Sequence, residues 1–90
     1  MARVERTFTI VNALGLHARA AAVLVQTANR HRCDIQVEKD GVAVNGKSIM
    51  GVLTLAASKG TQISVSCEGE EAEAALEALA RVIEAGFGER

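Results

Sequence analysis

Apolar and polar positions alternate with a period of two from Val4 to Val11, putting Phe8 and Ile10 on one face and Thr7 and Thr9 on the other. After Gly15 the period changes. A-R-A-A-A-V-L-V-Q-T-A-N-R is rich in helix formers, and Ala20, Val23, Leu24, Thr27 and Ala28 recur at helical spacing. Arg30, His31 and Arg32 close this predicted helix, where cations oppose the negative pole of its dipole. D-I-Q-V-E-K returns to alternation with Ile35 and Val37 inward. Asp40-Gly41 is a hairpin-turn signal, and Val42 and Val44 share a face of the strand that follows. Asn45-Gly46 ends that strand, and S-I-M-G-V-L-T-L-A-A predicts a short helix of about two turns, weakened by Gly51. Lys59-Gly60 turns the chain into T-Q-I-S-V-S-C, where Ile63, Val65 and Cys67 alternate with Gln62, Ser64 and Ser66. The last long segment, E-E-A-E-A-A-L-E-A-L-A-R-V-I, predicts an amphipathic helix. Ala72, Ala75, Leu76, Leu79, Val82 and Ile83 form its buried stripe, and Glu70, Glu71 and Glu73 favour its positive N-terminal pole.

The predicted order is β-α-β-β-α-β-α. Strands with one apolar and one polar face suit an antiparallel sheet covered on one side only. The expected architecture is therefore an α+β open-faced β-sandwich, a four-stranded antiparallel sheet with three helices on one face. The 90 residues leave no room for a second core, so residues 1–90 are read as a single domain.

Composition narrows the function classes. Apolar residues at 49% and charged residues at 23% describe a folded chain rather than a disordered one. A formal net charge of −1 supplies no field for nucleic acid, and Phe8 and Phe87, the only aromatics, supply no stacking platform. The start, M-A-R-V-E-R-T-F, lacks an apolar signal core, and no segment is long enough to span a bilayer; a cytoplasmic protein without membrane insertion is expected. Cys33 and Cys67 have no C-x-x-C partner. Reduced, packed thiols are the expectation, and a disulfide between them stays compatible with the sequence. His31, Cys33 and Cys67 lack ligand-pair spacing, so no metal or cofactor is expected.

Gly41, Gly46, Lys47 and Ser48 match G-x-x-x-x-G-K-[ST], the phosphate-cradling P-loop pattern. The variable positions are Val42, Ala43, Val44 and Asn45. After Asp-Gly they favour a pleated strand, whose N–H groups point alternately to neighbours and cannot converge on one phosphate. The match is read as coincidental. Ser48 then stands at the start of a short helix, as an N-cap whose hydroxyl satisfies an orphan N–H. Ile49, Met50 and Leu53 after it are either core residues or an exposed apolar patch for docking.

N-A-L-G-L-H-A-R-A-A-A carries the other candidate chemistry. Gly15 permits a tight approach into the helix, and His17 falls at or just before its first turn. Histidine is a poor N-cap, so helix initiation alone does not account for it. Free N–H groups and the positive dipole end favour an anion there. A neutral imidazole can attack a phosphoryl group and carry it as a phosphoramidate, and Arg19 could reach the phosphoryl oxygens. A lone histidine at a helix start is more often a structural or surface residue, and it is Arg19 beside it that raises the functional reading.

G-L-H-A-R, together with the later K-S-I-M-G-V-L, resembles the HPr family, histidine-containing phosphocarriers of the phosphoenolpyruvate:sugar phosphotransferase system. The likeness covers nearly the whole chain and agrees with the element order. It implies that His17 takes a phosphoryl group from enzyme I and passes it to IIA domains of sugar permeases. Arg19 would match the family's active-site arginine, and Ser48 the serine modified by HPr kinase/phosphorylase. Leu16, Ala20, Ile49, Met50 and Leu53 would then dock partners through apolar contacts, with the protein acting as a monomer, a carrier rather than an enzyme. The family usually continues H-A-R with Pro, where this chain has Ala20; the fold should survive, with one more N–H donor beside His17. Two alternatives remain: a regulatory phosphocarrier without sugar transport, and a ferredoxin-like interaction domain that is not phosphorylated.

Overall fold

The computed structural model describes residues 2–89. The elements are β1 (Arg3–Thr9), α1 (Ala18–Ala28), β2 (Asp34–Lys39), β3 (Val42–Asn45), α2 (Ile49–Thr54), β4 (Gln62–Glu68) and α3 (Ala72–Glu84), followed by a 3-10 turn, Gly86–Gly88. The four strands form one sheet in the order β1-β4-β2-β3, and every neighbouring pair is antiparallel. The expected order and layering are both present.

Register explains the core. Phe8 lies opposite Ile63, Val37 opposite Val65, and Ile35 opposite Cys67, so one face is apolar throughout. All six are buried beneath the helices. On the uncovered face the polar partners meet instead, as where the hydroxyls of Thr7 and Ser64 lie 3.3 Å apart. α3 packs on β1 and β4, and α1 bridges α3 and α2. Ile10, Leu24, Val52, Leu79 and Ile83 are completely enclosed between the layers. Truncating one such side chain to alanine typically costs about 2–5 kcal/mol, the sum of lost burial and the cavity left behind.

Three expectations need correction. Ile10 is not in β1; the strand stops at Thr9, and Ile10 is held instead by two backbone bonds to the β4 approach, Ile10 N to Thr61 O and Gly60 N to Ile10 O. Val42 and Val44 share a face as the alternation predicts, but Val42 is 58% exposed and Val44 only partly buried, because β3 is a four-residue strand at the edge of the sheet. Arg30, His31 and Arg32 lie beyond α1, which Asn29 caps after Ala28, so they do not occupy its last turn. There the chain is tied to the α3 entrance, with Arg32 N donating to Glu71 Oε1 at 3.1 Å and His31 Nδ1 3.7 Å from the same oxygen. In α3, Val82 is only partly buried, and Ala80 is buried in the stripe.

Cys33 and Cys67 are free thiols. Among the described residues no helix is long and apolar enough to cross a membrane, and no group of three or more His, Cys, Asp or Glu is placed to hold a metal ion.

Candidate functional site

The loop from Asn12 to His17 is fixed from both ends. Gly15 has a φ of +66° and lies against the segment after α2, where Leu16 N donates to Ala57 O at 2.8 Å. Gly15 N donates to Asn12 O at 3.2 Å, closing the turn. Leu16 drops into the core, and His17, the next residue, is left in extended conformation as the N-cap of α1. Its side chain caps nothing in the helix, while its carbonyl accepts from Ala21 N at 2.8 Å. The imidazole is thus not used in capping α1, and it is about 30% exposed.

What faces the ring comes from the far end of the chain. His17 Nε2 pairs with Glu89 Oε2, and Asn12 Nδ2 donates to Glu89 Oε1 at 2.9 Å and to Gly15 O at 2.8 Å. Both of Asn12's partners are acceptors, which forces its NH2 toward them and leaves Oδ1 buried without a partner. An orphaned buried acceptor typically costs about 1–3 kcal/mol, a local expense tied to holding Glu89 in place. First the Asn12 amide, then the His17 ring, hold the Glu89 carboxyl below the usual glutamate range; desolvation opposes them, and the charges of His17 and Arg19 add to them.

The tail reaches this position through three consecutive left-handed residues. Gly86, Phe87 and Gly88 have φ of 64°, 58° and 80°, and Phe87 is buried, so its ring anchors the turn. A non-glycine residue in this region costs about 1–2 kcal/mol, which the buried ring offsets. The result is an open cleft of about 670 Å³ with His17, Arg19 and Glu89 on its walls and Leu14 and Phe87 as its main apolar lining. Arg19 makes no salt bridge among the described residues, and α1 has no acidic residue in its first turn. The cleft thus joins an imidazole, a guanidinium and a helix N-terminus, a set suited to an anionic group.

Ser48 is the N-cap of α2. Its Oγ accepts from Gly51 N at 3.1 Å, and its carbonyl accepts from Val52 N at 3.0 Å. The P-loop match fails on geometry as well as on pattern. Residues 42–45 are strand β3, and Lys47 Nζ is occupied by His31 O at 2.8 Å. Gly46 is not an open loop residue either, since a Cβ there would lie 2.6 Å from Ile35 Cγ2.

The expected docking residues separate into two groups. Ile49 and Met50 are exposed, at 42% and 73%, and Leu53 is partly buried against the core. Leu16 and Ala20 are buried at 3% and 0% exposure and offer nothing to a partner. The physical reason is the Gly15 turn, which sends Leu16 inward, and the helical phase, which puts Ala20 on the core side of α1. Leu14, 70% exposed and in the cleft, is the apolar residue that pattern reading passed over. Asn12, Phe87 and Glu89 were passed over too. The only local signal was Gly86 after α3, a helix-stopping residue followed by an apolar one.

Comparison with known proteins fits this geometry. Residues 4–85 match the PTS-HPr family, described as the PTS HPr component phosphorylation site. The phosphocarrier protein HPr of Xylella fastidiosa (strain Temecula1) is 46% identical over 86 residues, covering 96% of this chain and 97% of that protein. The HPr-like protein Crh of Bacillus subtilis is 50% identical over 70 residues, 78% of this chain and 82% of Crh. The crystal structure of HPr from Thermoanaerobacter tengcongensis superposes with a TM-score of 0.94 at 48% identity, covering 97% of this chain and 98% of that one. The class is that of small phosphocarrier proteins, which hand on a group and are not themselves enzymes. The chain belongs to the HPr family of the phosphotransferase system.

Proposed function

We propose that His17 accepts a phosphoryl group from enzyme I, with phosphoenolpyruvate as the ultimate donor, and passes it to IIA domains of sugar permeases. The observation that carries this reading is the placing of His17: a partly exposed imidazole at the N-terminus of α1 that caps nothing in the helix and shares a cleft with Arg19. Nε2 is taken by Glu89, so Nδ1 is the nitrogen left to attack phosphorus. The phosphoryl oxygens then meet the unpaired N–H groups of the first helical turn and the Arg19 guanidinium, which offset their charge. Ala20 contributes one such N–H where the family usually has proline.

Ile49 and Met50 form the apolar part of the face that successive partners share, and Leu14 extends that contact to the cleft rim. Ser48 is a modification site on the same face. Phosphorylation there adds roughly −1.5 to −2 charges beside the patch, repelling acidic partner surfaces without unfolding α2, since negative charge is tolerated at a helix start.

The test supplies enzyme I and labelled phosphoenolpyruvate and looks for an acid-labile, base-stable phosphate. His17→Ala should abolish uptake; normal labelling of that variant would remove the site assignment. With ATP and an HPr kinase, Ser48→Ala should lose an acid-stable phosphate that the parent chain gains.

A second reading is a regulatory phosphocarrier with no permease downstream, favoured by the 50% identity to Crh. His17 would still be labelled, so the deciding measurement is onward transfer. A labelled protein that gives its phosphoryl group to no IIA domain of its own cell supports the regulatory reading.

A further inference from the structure

Glu89 is separated from His17 by 72 positions, yet its carboxylate bridges Nε2 of the ring and the buried amide of Asn12. We propose that Glu89 is the positioning residue of His17, holding the ring proton on Nε2 and balancing the positive charge the ring gains when Nδ1 takes a phosphoryl group. This rests on the phosphocarrier reading.

Three observations carry it. The carboxylate has one oxygen for the ring and one for Asn12, so its plane and position are set from both sides. Asn12 is itself pinned to Gly15 O at 2.8 Å and leaves its own Oδ1 unsatisfied to do this. The tail is brought back by the left-handed Gly86-Phe87-Gly88 turn, locked by Phe87 in the core and by Glu89 N to Gly86 O at 3.0 Å. A carboxylate set against one imidazole nitrogen selects the tautomer and orients the ring, as in carboxylate–histidine pairs at metal and nucleophile sites.

The step balances without loss of a proton. As the donor's bond to phosphorus breaks, the Nδ1 lone pair forms the new N–P bond; Nε2 keeps its proton, and the ring becomes cationic opposite Glu89. On transfer outward the N–P pair returns to Nδ1 and the ring is neutral again. Glu89 therefore acts in both directions without touching the phosphoryl group.

The experiment records long-range 1H–15N correlations of the neutral ring in the parent chain, Glu89→Gln and Glu89→Asp. It adds initial rates of label uptake from enzyme I and phosphoenolpyruvate. The parent should carry its proton on Nε2. Glu89→Gln, nearly isosteric but uncharged, should move a measurable share of the proton to Nδ1 and slow uptake about tenfold or more. Glu89→Asp should recover most of both. Unchanged tautomer populations in Glu89→Gln overturn the proposal even if uptake slows, because the carboxylate would then act elsewhere than on the ring. Should the parent chain take no label at all, the phosphocarrier reading fails, while the tautomer comparison still decides whether Glu89 positions the ring.

Discussion

Gly15 sits so close to Ala57 that a Cβ on it would lie 2.4 Å from the Ala57 carbonyl oxygen and 2.8 Å from Ser58 Cα. Both neighbours are backbone and cannot swing aside. The φ of +66° adds a second reason for glycine at this place. This contact joins the loop before His17 to the loop after α2, so the site is supported by an element remote in sequence.

Gly15→Ala should therefore destabilise the protein by about 2–4 kcal/mol, combining left-handed strain with overpacking. Urea unfolding followed by circular dichroism reads the effect as a lowered midpoint. Where the variant is still folded, label uptake should also fall, because Leu16 and His17 lose their anchor. A loss under about 1 kcal/mol would show that the loop can back away from Ala57.

The hydrogen bond from the Asn12 amide does more than the one to His17 to hold the Glu89 carboxyl pKa below the usual glutamate range. Asn12→Ala should raise that pKa toward the ordinary glutamate range, measured from the Glu89 side-chain carboxyl 13C shift against pH. The stability linkage has a definite sign. A carboxyl whose folded pKa is depressed contributes stability that is present above its unfolded value and lost as pH falls through the folded one. The gap between parent and Glu89→Gln in unfolding midpoint should thus be largest at neutral pH. It should close as acid carries the carboxyl from the ordinary range down past its folded pKa. A gap that widens in acid would contradict the assignment.

The strands and α3 were legible because alternation and helical spacing report directly which residues share a face. The same signals do not report how far the cover extends. Val42 and Val44 do share a face, but β3 is an edge strand and the helices leave Val42 exposed. Arg30, His31 and Arg32 suited a helix C-terminus by charge, yet Asn29 ends the helix first, a competition between capping and propensity that composition does not resolve. His17, Arg19 and Ser48 could be singled out because each stands next to a recognisable helix start. Glu89 could not, since its meaning arises only when the tail folds back across the chain onto Asn12.

Burial pushes the Cys67 thiol up to about 11, with the neighbouring Cys33 adding to the effect, and the Cys33 thiol is raised as well, again chiefly by burial. At pH 8 only about one Cys67 in a thousand is thiolate by the Henderson–Hasselbalch relation, and the thiolate is the reacting species. Iodoacetamide labelling followed by mass spectrometry should modify Cys33 first and Cys67 only with global unfolding. Rapid native-state labelling of Cys67 would mean that the β2–β4 region opens locally.

Leu16 and Met50 give the sharpest separation between supporting the fold and meeting a partner. Leu16 is 3% exposed and Met50 is 73% exposed. Leu16→Ala removes buried methyl groups beneath the His17 loop and should cost about 2–4 kcal/mol of stability. Met50→Ala removes only solvent-facing atoms from α2 and should change stability by less than about 0.5 kcal/mol. If the α2 face docks partners, Met50→Ala should nevertheless weaken binding to enzyme I about fivefold, since an exposed methionine at the centre of a contact contributes roughly 1 kcal/mol. Calorimetric titration with enzyme I measures this at a temperature where both proteins are folded. Leu16→Ala, compared under conditions where it is fully folded, should bind with an affinity closer to that of the parent chain. The reverse ranking, with Met50→Ala binding normally and folded Leu16→Ala binding poorly, would place the contact on the His17 loop rather than on α2.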